Sequence, residues 1–140
     1  MSSPISIYIR NLRMQTGMTQ NDFARALGYE QATVSSIEID RKSPSAAFLA
    51  TLVETFQLSE VDQADLKNAV RNSKKRFSLP GDASAETYTF CNDLWSDIER
   101  INPSLLQAMH LMLKVEKQLG RRPDNLTTRL QQSRKSGVTA

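Results

Sequence analysis

Residues 31–38 read Gln31-Ala32-Thr33-Val34-Ser35-Ser36-Ile37-Glu38, short polar side chains interleaved with two apolar ones three residues apart. On a helix, Val34 and Ile37 share an inward face, while Gln31, Thr33, Ser35 and Ser36 are polar and small. Side chains of this size and polarity suit the edges of base pairs. Gln offers an acceptor and a donor that match N6 and N7 of adenine, Ser and Thr reach several bases, and the methyls of Ala and Thr pack on the thymine methyl. The segment is therefore a candidate for major-groove contact, with Gln31, Ala32, Thr33, Ser35 and Ser36 as the base-contacting residues.

A short helix of this kind needs other elements to hold it. Ile5, Ile9, Leu12 and Arg13 recur at helical spacing, and the segment stops at Gly17. Thr19 is a good N-cap for a second helix carrying Phe23, Ala24 and Leu27, and Gly28 ends it. After the candidate helix, Ser43-Pro44-Ser45 forms a loop whose Ser45 can cap a fourth helix bearing Phe48, Leu49, Leu52, Val53 and Phe56. Ser59-Glu60-Val61-Asp62 resembles a capping box for a fifth, with Leu66, Ala69 and Val70 following. Five short helices with a tight Gly-containing turn between the second and third make a helix-turn-helix arrangement over residues 1–70.

Other chemistries find little support. Cys91 and His110 are the only cysteine and histidine among 140 residues, so neither a disulfide framework nor a Cys/His zinc site is available. Cys91 falls on an apolar stripe and reads as a small core residue. His110 reads as a surface or interface residue. No nucleophile–base pair, metal cluster or glycine-rich phosphate loop is present, so neither an enzyme nor a cofactor is expected. The first ten residues lack the pattern of a signal peptide, and no apolar run approaches the ~18–20 residues of a membrane span. A cytoplasmic, nucleoid-associated protein without membrane contact is expected. The net charge is +3, from 18 Lys+Arg and 15 Asp+Glu. Residues 1–78 hold 10 basic and 8 acidic side chains, and residues 79–140 hold 8 and 7. Neither half is a polycation, so a nucleic-acid reading rests on where charges sit.

The placement is specific. Leu12-Arg13, Gly17-Met18-Thr19-Gln20, Phe23-Ala24 and Leu27-Gly28 are followed by Val34-Ser35, Ile37-Glu38, Arg41-Lys42 and Pro44-Ser45. Together they resemble the Cro/cI-type (XRE) helix-turn-helix family over residues 5–70. The resemblance implies a five-helix, lambda-repressor-like DNA-binding domain for this half; the whole chain is expected to be all-α, with a helical dimerisation region following that domain. It implies backbone contacts with double-stranded DNA from Thr19, Gln20, Arg41 and Lys42, with Gln20 also bracing Gln31. It further implies a buried salt bridge between Arg13 and Glu38. Two positions depart from the family. Asp40 stands where Gly is usual, a residue that tolerates the left-handed region better than most. Glu30 stands where Ser or Thr usually caps the reading helix.

Residues 71–85 read as a basic linker, with Arg71-Asn72-Ser73-Lys74-Lys75-Arg76 followed by the breaker Pro80-Gly81-Asp82. Residues 86–101 then form an amphipathic helix, and Asn102-Pro103 starts another that runs to Gly120. A loop at residues 121–124, a short helix with Leu126 and Leu130, and a disordered tail over 133–140 complete the expectation. A two-helix hairpin cannot bury this much apolar surface alone. Residues 86–132 are therefore expected to form a homodimer through Leu94, Trp95, Ile98, Leu105, Met109 and Met112. The function expected is that of a bacterial or phage transcriptional regulator, a homodimeric repressor reading a palindromic operator. The alternative is an antitoxin whose C-terminal helices bind a toxin, or another regulator, while the first half autoregulates its operon.

Overall fold

The computed structural model describes residues 2–120, and the expectations for residues 121–140 lie outside it. Seven helices and no strand occur among the described residues. They fall into two compact units, the first ending at Ser78 and the second beginning at Leu79.

The first unit contains α1 (Pro4–Gln15), α2 (Gln20–Leu27), α3 (Gln31–Glu38), α4 (Ala46–Thr55) and α5 (Glu60–Arg71). Side-chain oxygens of Ser3, Thr19, Ser45 and Ser59 accept from backbone N–H groups in the first turns of α1, α2, α4 and α5. These bonds satisfy donors that a helix start leaves without partners. The full reciprocal capping box forms at Thr19–Asp22. At Ser59 the Oγ accepts from Asp62 N at 3.1 Å without the box being completed.

The first four helices all end in one way. Gly17, Gly28, Asp40 and Gln57 have φ of 70°, 76°, 62° and 47°. At each, the left-handed residue donates to the carbonyl three residues back, and the next residue donates to the carbonyl five back. This is the Schellman pattern. It turns the chain sharply enough for short helices to pack around one centre. Asp40 fills a position where glycine would carry no steric penalty.

That centre is built from Ile5, Ile9, Phe23, Ala24, Leu27, Val34, Ile37, Phe48, Leu52, Leu58 and Leu66. Phe23 stacks on Phe56 with ring centroids 5.1 Å apart, and Tyr29 meets Phe48 edge-on at 5.0 Å. Burying each large side chain stabilises the unit by about 1.5–3 kcal/mol before the loss of chain entropy. Helix α3 packs on α1 and α2, α2 also on α4, and α1 on α5. Helix α3 is thus clamped from two sides.

The first unit continues past the end of α5. Ser73 Oγ accepts from Ile5 N at 2.9 Å and donates to Ala69 O at 2.6 Å. It thereby satisfies a free donor at the start of α1 and ties residues 71–76 to the bundle.

The second unit contains α6 (Ala85–Asp97) and α7 (Pro103–Leu119). Helix α6 stops at Asp97, four residues short of the expected end at 101. Residues 98–100 form a turn instead, with Arg100 N and Ile101 N both donating to Asp97 O, and Asn102, which lies before proline, adopts ψ 136° and caps α7 by accepting from Ser104 N at 2.9 Å. Neither α6 nor α7 has a buried residue.

Candidate nucleic-acid interface

Val34 and Ile37 anchor α3, with essentially no exposed surface. Gln31 and Ala32 are exposed, Thr33, Ser35 and Ser36 half-buried, and Thr19, Arg41 and Lys42 exposed around them. Arg41 N and Lys42 N both donate to Ser36 O, at 2.9 and 3.2 Å. The loop carrying the two basic side chains is therefore fixed to the end of α3.

Beneath this surface runs a chain of hydrogen bonds. Glu38 is buried, and Arg13 Nε donates to its Oε1 at 2.6 Å while Arg13 Nη2 donates to its Oε2 at 3.4 Å. Arg13 Nη1 donates to Met18 O at 3.0 Å, which ties the turn between α1 and α2 to the same guanidinium. Gln20 Nε2 also donates to Glu38 Oε2. Gln20 Oε1 then accepts from Gln31 Nε2 at 2.9 Å.

The sense of these bonds is forced. A carboxylate only accepts, so the Gln20 amide must turn its nitrogen to Glu38 and its oxygen outward. The outward oxygen in turn requires the nitrogen of Gln31. Gln31 keeps one N–H and its carbonyl oxygen free, the donor–acceptor pair that matches the major-groove edge of adenine. A buried charge pair thus sets the orientation of an exposed amide two side chains away.

A second cluster sits where α3 ends. Ser3 Oγ donates to Asp40 Oδ1 at 2.8 Å, and Lys75 Nζ lies 3.0 Å from Asp40 Oδ2. Buried Ser6 donates to Ile37 O at 2.6 Å, with its Oγ 3.3 Å from Asp40 Oδ1. Hydrogen bonds from Ser3 and Lys75 hold the Asp40 carboxyl below the usual carboxylate range. Sequence reasoning did not find this cluster, because Ser3, Ser6 and Lys75 each lie 34 to 37 residues from Asp40. The available signal was an acidic residue where the family prefers glycine. Glu30 begins α3 without a side-chain cap bond.

In the second unit, Leu94, Ile98, Met109 and Met112 line an apolar groove of about 610 Å³, together with Phe90 and Leu106. Trp95 and Leu105 lie outside its lining but are 66% and 53% exposed. Among the described residues, no group of three or more His, Cys, Asp or Glu is placed to hold a metal ion. No described helix is long and apolar enough to cross a membrane.

Residues 5–66 match the family model described as a helix-turn-helix domain. No match to the chain was found among curated proteins or among solved structures.

Proposed function

With residues 5–66 taken as a helix-turn-helix domain, which points to a DNA-binding regulator, we propose that the protein is a homodimeric repressor reading a palindromic operator. The observation that carries this reading is the Arg13–Glu38–Gln20–Gln31 chain, which leaves the exposed Gln31 amide oriented at the start of α3. In this reading Gln31, Ala32, Thr33, Ser35 and Ser36 enter the major groove. Thr19, Gln20, Arg41 and Lys42 grip the flanking phosphates. Phosphate contacts set register, and base contacts set sequence.

One such domain covers a short half-site, and two copies spaced about 34 Å apart read two half-sites on one face of the duplex. The exposed apolar surface of α6 and α7 supports a second copy as its cover, because a soluble chain seldom leaves so large a contiguous patch open. Repression follows if the bound dimer occupies a promoter. The test is Met112→Glu in the full chain. Met112 is 71% exposed and lines the groove, so the substitution leaves the first unit intact. Sedimentation of the variant as a monomer, with weakened DNA binding, supports the reading. A variant as dimeric as the wild type refutes this assignment of the interface.

The same groove favours one second reading, an antitoxin that buries it against a toxin. Native mass spectrometry of the protein from its own cells discriminates the two: a second chain of different mass supports the antitoxin, a doubled mass the homodimer.

A further inference from the structure

The basic run after α5 is not a free tether. Ser73 bonds to the start of α1, and Lys75 Nζ lies 3.0 Å from the Asp40 carboxylate and 3.4 Å from the Asp40 carbonyl oxygen. Asp40 directly precedes Arg41 and Lys42. The fold therefore brings residues 74–76, distant in sequence, beside the loop that follows α3.

The local charge is one-sided. The Asp40 carboxylate is taken up by Lys75, and that of Glu38 is buried against Arg13. Among the described residues, Arg41, Lys42, Lys74 and Arg76 are all exposed and none is paired with a carboxylate. Lys74 Nζ lies 5.2 Å from the ring centre of the exposed Phe77, a contact that positions the ammonium and leaves its N–H groups free.

We propose that residues 74–76 form a second, sequence-independent DNA contact, with Lys75 as the pin that ties the segment to the turn after α3 and with Lys74 and Arg76 on phosphates beside the bases that α3 reads. The inference rests on the DNA reading of residues 31–42 and extends it. Duplex DNA carries a charge about every 1.7 Å along its axis, so cations beside a groove-docked helix meet phosphates. The pin matters because a segment already held in place loses less freedom on binding than a loose one.

The experiment measures affinity for a mixed-sequence DNA duplex by fluorescence anisotropy as salt rises. It uses the full-length wild type, the double variant Lys74→Ala/Arg76→Ala, and Lys114→Ala/Lys117→Ala in α7, which removes the same charge elsewhere. Each phosphate contact contributes about 0.9 to the slope of log affinity against log salt, so two contacts make the wild type lose about 12-fold more affinity than the first variant over a fourfold salt increase. The α7 variant is expected to keep the wild-type slope. A wild-type slope in Lys74→Ala/Arg76→Ala, or the same reduction in both variants, overturns the proposal while the DNA reading stands. A wild type that binds no duplex at any salt overturns the DNA reading, and this one with it.

Discussion

Replacing Arg13 by Met tests how the exposed start of α3 is supported. The two partners of the pair are unequally buried: the Arg13 side chain is 16% exposed and that of Glu38 3%. Removing Arg13 leaves a carboxylate almost without solvent and with Gln20 as its remaining donor. Breaking a buried pair this way costs about 3–5 kcal/mol. Removing Glu38 instead, as Glu38→Leu, leaves a guanidinium that reaches solvent and still donates to Met18 O. That loss is smaller, about 1–3 kcal/mol. For a unit of this size, about 3 kcal/mol corresponds to a melting temperature at least ~12 °C lower. The double variant is expected to recover part of the loss, since it removes both the charge and its partner. The assay is thermal unfolding of the full chain at neutral pH, followed by far-ultraviolet circular dichroism. An Arg13→Met variant melting within about 3 °C of wild type would refute the reasoning, as ~0.5 kcal/mol is the scale of an ordinary surface substitution. So would a Glu38→Leu variant less stable than Arg13→Met, because the ordering follows from burial.

Three further outcomes follow from the same geometry. Gln31→Ala should cost about 1–3 kcal/mol of binding at one base pair and relax preference there; an unchanged footprint and affinity would count against its role. Asp40→Asn keeps a residue that tolerates φ 62° but removes a carboxylate held below its usual value near 3.8. A lowered folded pKa gives stability that is present above the unfolded value and is lost as pH falls through the folded one. The variant should therefore melt below wild type at pH 7 and converge with it in acid, and a gap that stays constant with pH would exclude the carboxylate as its source. Gln57→Gly relieves a left-handed conformation at φ 47° and should raise stability by about 0.5–1 kcal/mol, read as a higher melting temperature.

Much of the fold was legible because its signals are local. Gly17 and Gly28 mark helix ends through their freedom at positive φ, Thr19 and Ser45 mark starts through their side-chain oxygens, and Asn102-Pro103 does the same for α7. The inward face of α3 was readable from Val34 and Ile37 at helical spacing. What escaped depends on contacts across the chain. Nothing near Asp40 in sequence announces Ser3, Ser6 or Lys75, and nothing near Ser73 announces the start of α1. The end of α6 is not marked by apolar periodicity, which continues through Ile98 and Ile101 while the chain already turns at residues 98–100, with Arg100 N and Ile101 N sharing the Asp97 carbonyl.

Base reading by α3, with two copies of the protein on one site, is tested by selecting bound sequences from random DNA with the purified full-length protein. The expected result is a palindromic consensus with half-site centres about one helical turn apart, adenine at the position facing Gln31 and loss of that preference in Gln31→Ala. Recovery of no enriched sequence, or of a consensus that Gln31→Ala leaves unchanged and that lacks two-fold symmetry, would contradict it.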